Sequence, residues 1–489
     1  MATDKNGVIG LLYRADWTRL TLSAELGDGS TVLVAPGKRC RYQTPEGLTG
    51  CDGVRAWEMP GDDEPYGTDR VTWISGPGPP MARLLCPAWL LVGSMLQVRG
   101  RAEACGREAI DVVMTPRPGI GGRVVPLHPA RGHVDALVDA ELGILLRVTE
   151  PGRGEAPTVT EMVSADFSPA VDETSFEPPL GSRIAESFTE ALRADGPAWW
   201  AAKTAAGLAA GGLGALIKYS PLRRTGPPRP DAADPEATIP VEDPAPERST
   251  DGVPAGRPAD EVLLALLHAG GSGEFTATLH HWMDIAAMAS QVPPGARQAG
   301  FGGVGLLMDA VSQRPGAVHL VSTVQLAGSG RYQIDHRRQP RRGPRTIASD
   351  GRRCWKVYAD EVTVGPAEPL PRHIADLADP SWLLRCGLAE GVPVTISGGP
   401  GYKVAVTQGL AGRSSMMVYP AAVAVVDAES GVIQRLTYYI GSRAVERYEL
   451  RDVNVAAAAD FKVDIPVGLP VVEETRFAPR TRRPDQHTY

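Results

Sequence analysis

Four residue patterns occur twice in this chain, in the same order, once in each half. Asp52-Gly53-x-x-x-Trp57 recurs as Asp350-Gly351-x-x-x-Trp355, and Pro87-x-Trp89-Leu90-Leu91 as Pro380-x-Trp382-Leu383-Leu384. Val138-Asp139-Ala140-Glu141-x-Gly143 returns as Val426-Asp427-Ala428-Glu429-x-Gly431, and Pro179-Leu180-Gly181 as Pro466-Val467-Gly468. One match could arise by chance, but four collinear ones at nearly constant spacing require a duplicated structural unit. A repeat this long is a domain duplication and not a solenoid, because each copy has enough chain to bury a core of its own. Each copy is therefore expected to fold alone.

The copies delimit the chain. Residues 1–195 hold the first unit and 259–472 the second. Between them, 196–220 is rich in Ala and Gly and reads as a helix. The stretch 221–258 carries ten prolines, a density that forbids helix and sheet and makes an extended linker. The polar residues 473–489 read as a disordered tail. Ile184, Phe188 and Leu192 stand at helical spacing, so Ser182 to Ala194 is expected to be a helix. Ala259 to Leu267 is expected to begin another, with acidic residues in its first turn as the macrodipole favours. His280 to Ser290 reads as a further helix, or as a strand followed by one. The first unit shows no counterpart to this lead segment.

Within each unit the signal is β. Val394 to Ile396, the turn from Gly398 to Gly401, and Tyr402, Val404 and Val406 keep a period of two and predict a hairpin. Leu96 and Val98, a turn within Gly100 to Gly106, and Ile110 to Met114 are its counterpart. The V-D-A-E-x-G pattern predicts another hairpin, with Asp and Gly in the turn and an apolar run entering the next strand. Hairpins in succession imply an antiparallel meander beside a helical element.

A strand pair, the D-G-x-x-x-W pattern, a helical stretch ending in a Leu pair, two hairpins and a closing P-x-G shortly after Phe176 or Phe461 follow one another in each unit. In that order they resemble the outer-membrane lipoprotein carrier (LolA-like) superfamily, and the N-terminal domain of periplasmic sigma-factor regulators of the same fold. The resemblance implies a mainly β fold with helices (α+β). It would be two LolA-like curved antiparallel half-barrels, joined by helices and a Pro-rich linker. It also implies an apolar ligand in the concavity, since a half-barrel's inner face is too broad to fill with its own side chains. Trp57, Trp89, Leu90, Leu91, Trp355, Trp382, Leu383 and Leu384 are the candidates to line such a cavity; as large apolar residues at fixed positions they would serve equally as core anchors.

Other classes are disfavoured. The net charge of −7 argues against a nucleic-acid partner, which wants a basic field. No nucleophile elbow, P-loop, dinucleotide glycine motif or zinc-protease motif is present, so an enzyme is not expected, nor is a cofactor or metal. His128, His133 and Asp135 match no zinc spacing. His280, His281 and Asp284 form an equally weak set. Asp139, Glu141, Asp427 and Glu429 sit beside turn glycines and are expected to be solvated.

Six cysteines without a C-x-x-C pair are expected to be reduced and partly buried. The N-terminal residues lack a secretory leader, which predicts a cytoplasmic product. Membrane association is the alternative, through 198–217, which has the length of a span but contains Lys203. Arg337, Arg338, Arg341, Arg342 and Arg345, followed by Arg352 and Arg353, form the one concentration of charge. They are candidates for docking an anionic lipid surface or an acidic partner, against a simply solvated loop. Two functions follow: non-enzymatic binding of a lipid, acyl or lipoprotein-like group, or a regulatory scaffold that docks a protein partner.

Overall fold

Two of the repeated patterns are turns and caps, and the closing Pro-x-Gly pattern at 179–181 and 466–467 lies outside the described residues. A computed structural model describes residues 4–45, 47–53, 56–60, 66–68, 79–117, 132–151, 156–177, 183–185, 261–270, 274–284, 287, 317–328, 330–337, 344–385, 388–396, 399–406, 421–455 and 468–473. In the V-D-A-E-x-G pattern, the Asp139 carboxylate accepts the N–H groups of Glu141 (3.0 Å) and Leu142 (2.8 Å). Asp427 does the same for Glu429 (3.1 Å) and Ser430 (2.7 Å). The side chain thus stands in for the backbone acceptor of a turn. The closing glycine is obligatory. Gly143 has φ +72°, and a Cβ there would lie 2.2 Å from the carbonyl oxygen of Leu11.

The P-x-W-L-L pattern is a 3-10 turn whose tryptophan caps the helix before it. Trp89 donates its indole N–H to the carbonyl of Arg83 (2.9 Å), and Trp382 donates to Asp376 (2.8 Å). Those carbonyls belong to α2 (Pro79–Leu85) and α4 (Arg372–Ala378), and near helix ends such groups have no partner within the helix. Ahead of them in each unit lie α1 (Lys5–Arg14) and α3 (Glu261–Ala269). Asp4 caps α1 by accepting from Gly7 N–H at 2.7 Å, as an N-cap carboxylate should.

The first unit contributes β1 (Leu22–Leu26), β2 (Thr31–Ala35), β3 (Arg39–Thr44), β4 (Gly47–Asp52), β5 (Ala56–Pro60), β6 (Tyr66–Thr68), β7 (Ser94–Ala104), β8 (Arg107–Pro116), β9 (Val134–Asp139), β10 (Leu145–Glu150), β11 (Thr158–Asp166) and β12 (Arg183–Ala185). The second contributes β13 (Glu274–Asp284), β14 (Ala317–Ala327), β15 (Arg331–His336), β16 (Thr346–Asp350), β17 (Arg353–Val357), β18 (Val362–Pro366), β19 (Leu388–Ile396), β20 (Gly399–Val406), β21 (Ala421–Asp427), β22 (Ile433–Ile440), β23 (Arg443–Asn454) and β24 (Val471–Glu473). Each set forms one open 12-stranded sheet. The order is β12-β6-β5-β4-β3-β2-β1-β11-β10-β9-β8-β7 in the first and β24-β18-β17-β16-β15-β14-β13-β23-β22-β21-β20-β19 in the second. Every strand has its counterpart at the same place in the order, so the duplication extends to the whole topology. The sheets are antiparallel throughout except that β12 runs parallel to β6, and β24 to β18. They are two large open antiparallel sheets with few helices, the mainly β arrangement expected.

The two sheets share one core. Val8, Ile9 and Leu12 of α1, Leu263, Leu264 and Leu267 of α3, and the leucine pairs of both 3-10 turns belong to a single apolar cluster with the inward residues of both sheets. The helix α1 packs on α3, and the Pro87–Leu91 turn packs on Pro380–Arg385. Fully burying one such leucine is worth about 1.5–3 kcal/mol, so the joint between the units is a main source of stability. The sequence had suggested two separate cores.

Several local expectations are corrected. Residues 183–185 form strand β12 where a helix was expected, because edge pairing with β6 outweighs the helical spacing; the rest of that segment lies outside the described residues. The first unit does have a lead helix, α1. Of the two alternatives for His280 to Ser290, the strand holds: His280 to Asp284 belongs to strand β13. The turn between β7 and β8 is only Cys105-Gly106, both at positive φ (53° and 70°). Asp139 is buried, not solvated. Residues 196–220 and 221–258 lie outside the described residues, as does the tail beyond Glu473. Among the described residues no helix is long and apolar enough to cross a membrane.

Candidate functional site

Strand alternation divides the sequence candidates between two faces. Leu90, Leu91, Trp382, Leu383 and Leu384 are buried in the shared core, and half-buried Trp89 packs on it beneath the Arg83 guanidinium. Trp57 stands opposite Gly50 across β4 and β5, on the face away from core residue Cys51. There its indole N–H donates to the Phe176 carbonyl (3.2 Å). Trp355 likewise leaves the core face to its neighbour Cys354, and packs with Val357, Val362, Val364 and Leu469 in a separate cluster. The eight candidates therefore do not converge on one cavity. Six belong to the helix-covered joint and two to the outer faces.

A polar anchor crosses the same joint. Arg117, at the end of β8, places Nη1 2.9 Å from Asp379 Oδ1 and also donates to the carbonyl of His268. Gly93 N–H donates to Ser381 Oγ at 2.8 Å. All of these groups are buried. Gly270, with φ +67°, ends α3 and leaves room for Arg117, since a Cβ there would stand 1.9 Å from Nη1. Burial, reinforced by the Arg117 charge, pushes the His268 imidazole down to about 3.

The second unit holds a polar cluster with no equivalent among the described residues of the first. Phe275, Ala277 and Leu279 of β13 enter the shared core, so alternation puts His281 on the same helix-covered face. His281 Nε2 lies 3.0 Å from Glu446 Oε1, and Glu446 also accepts the Tyr448 hydroxyl. The His281 ring stacks on Tyr448 at 4.1 Å between centroids, and His373 of α4 stacks on Tyr448 at 5.5 Å. Nearby, His336 Nδ1 lies 2.8 Å from Ser322 Oγ. Burial, with His281 adding to it, pushes His373 down to about 3, and burial also lowers His336.

Burial thus favours the neutral form of His373 and of His336, and a neutral imidazole can both donate and accept a hydrogen bond. Asp335 does not orient the Ser322–His336 pair: it alternates to the opposite face, where it accepts from Thr346 and Gln333. On that outer face His280 Nδ1 lies 3.0 Å from His319 Nε2, and Trp282 stacks on His319 at 4.5 Å. Neighbouring histidines at 280 and 281 hinted at polarity, but Glu446, Tyr448 and His373 come from distant segments without a motif. His133 pairs with Asp135 at 3.3 Å, and His128 lies outside the described residues. Among the described residues no group of three or more His, Cys, Asp or Glu is placed to hold a metal ion.

Of the arginine candidates, Arg337 and Arg345 mark the ends of the connection between β15 and β16. Arg337 N–H donates to Val321 (3.0 Å) and Arg345 N–H to Val357 (2.7 Å). Arg338, Arg341 and Arg342 lie outside the described residues. In the first unit, Arg39 at the start of β3 pairs with Glu173 at 2.7 Å and lies over the Phe176 ring.

No family model and no curated protein sequence matches the chain. Among solved structures it is similar to MucB at 14% identity and a TM-score of 0.24, over 37% of this chain and 64% of that one. It is also similar to a LolA superfamily protein from Nitrosomonas europaea at 10% identity and a TM-score of 0.20, over 42% of this chain and 94% of that one. A third is an outer membrane lipoprotein-sorting protein domain from Vibrio parahaemolyticus, at 9% identity and a TM-score of 0.17, over 40% of this chain and 92% of that one. The likeness is one of fold. The expectation of a cytoplasmic product is corrected, because the similar structures are named for the outer membrane and, in MucB with MucA(peri), for the periplasm.

Proposed function

We propose that the chain is a non-enzymatic binding protein of the cell envelope that holds an apolar group, such as an acyl chain, against the helix-covered face of its curved sheets. One observation carries the reading. Each open 12-stranded sheet turns an apolar face toward short helices, and a sheet left unclosed can widen to admit a chain without breaking strand pairs. The core residues of the 3-10 turns, including Leu90, Leu91, Leu383 and Leu384, would be the groups that shift. Native mass spectrometry after mild extraction and displacement of a fluorescent fatty acid test this. Co-purified lipid and saturable displacement are expected, and their joint absence would rule the reading out.

A second reading, docking of a protein partner, is favoured by the tight burial of those leucines and of Trp382, none more than 2% exposed. Residues that already fill the faces leave the outer surfaces for contact. Cross-linking in intact cells followed by mass spectrometry separates the two readings. A protein joined to the chain in the absence of bound lipid would favour docking.

A further inference from the structure

Cys40 on β3 and Cys51 on β4 are direct cross-strand partners. Both belong to the shared apolar core, so both side chains project from the same face of the hairpin. Directly opposed residues of an antiparallel pair have Cα atoms about 4.5–5.5 Å apart, inside the span of about 4.4–6.8 Å that a disulfide bridges. Cys354 stands opposite Ser349 and Gly365, and the second unit has Tyr332 opposite Ser349 where the first has this cysteine pair.

We propose that Cys40 and Cys51 are a disulfide-forming pair that locks β3 to β4 in an oxidising compartment. The bond forms by exchange with a small-molecule or protein disulfide. Each cysteine gives up its thiol proton, the Cys40–Cys51 sulfur bond forms, and the oxidant's sulfur bond breaks to leave two thiols. Timing follows from burial. Both thiols are shut away from solvent in the folded chain, and burial, with the neighbouring Cys51, pushes the Cys40 thiol up to about 12. A thiol so held forms almost no thiolate, which is the reactive species. The bond is therefore made before the hairpin is covered, and once made it is protected from reductants.

The test uses the full chain, unfolded and refolded in glutathione buffer of oxidising or reducing composition. The products are denatured, alkylated without reduction, and mapped as peptides. After oxidising refolding, the peptides containing Cys40 and Cys51 should be joined and Cys354 should be alkylated. The melting temperature should be higher for oxidised than for reduced wild type. Cys51→Ala should abolish that difference, whereas Cys354→Ala should keep it. Alkylation of both Cys40 and Cys51 after oxidising refolding would overturn the proposal, as would linkage of either to another cysteine. A redox-dependent melting shift that survives in Cys51→Ala would count against it equally.

Discussion

The two units have the same strand order and, among the described residues, differ most in the length of one hairpin. In the first, β1 and β2 are five residues each; in the second, β13 and β14 are eleven. The extra length brings His280, His281, Trp282 and His319 onto the sheet. Beside it, Glu446 and Tyr448 occupy the places held by Thr158 and Thr160 in the first unit, as judged by their pairing with β22 and β10. Tyr438 likewise stands where Glu150 pairs with Arg83 in the first unit. Duplication kept the frame, the turn carboxylates and the tryptophan caps. Divergence changed the polar chemistry of the helix-covered face, which suggests that the units no longer do the same work.

The largest effect should come from separating the units. Residues 1–195 and 259–489, expressed apart, should each lose the partner helices that complete the shared core. We expect neither to melt cooperatively alone and a cooperative transition to return when they are mixed. Calorimetry of each half decides it, and two sharp independent transitions would show that the units are autonomous.

Next comes the joint's anchor. Arg117→Ala leaves Asp379 buried without its guanidinium, which should cost about 3–5 kcal/mol. Arg14→Ala removes the exposed pair with Glu261 at 3.1 Å and should cost under about 1 kcal/mol. Urea unfolding of both variants checks the contrast, and equal losses would mean that the joint is wetter than its burial implies.

Acid should then distinguish the units. His268 and His373 refuse protons in the folded chain down to about pH 3, whereas unfolded histidines accept them below about 6.5. Their native pKa is depressed, so folding stability falls as pH drops through 6.5 and levels off near 3. Between pH 6.5 and 5.5 the two together should cost roughly 2 kcal/mol. Both lie in the second unit, so hydrogen exchange at pH 5.5 should open that unit first. His268→Gln with His373→Gln should flatten the dependence.

The smallest effect on stability is expected from replacing Arg337, Arg338, Arg341 and Arg342 with Gln, within about 0.5 kcal/mol. Binding to anionic vesicles should weaken by about 1 kcal/mol per arginine near the surface, and more at low salt. Equal vesicle binding by wild type and variant at low salt would leave the segment without a docking role.

What the sequence made legible was the repeat, because turn carboxylates, turn glycines and capping tryptophans act locally and leave short patterns. The strand β12 was misread because three residues at a sheet edge take their conformation from β6, which no local periodicity records. The joint was hidden for a related reason. Leu263, Leu264 and Leu267 form an ordinary amphipathic stripe, and nothing in a stripe says whether it faces its own sheet or another unit's helix. The His281, Glu446, Tyr448 and His373 cluster was equally invisible, since its members meet only through strand register and helix placement.

The central seam of each sheet has a consequence for biosynthesis. Strand β1 is flanked on one side by β11, with Ser23 opposite Asp166, and β13 by β23, with His281 opposite Tyr448. The first strand of each unit to leave the ribosome therefore waits for nearly the last, and α1 waits longer still for α3. Contacts so distant along the chain close slowly, and meanwhile a half-paired apolar strand is exposed to aggregation. Nascent chains halted before residue 158 should thus be the most chaperone-dependent stage of this protein's synthesis.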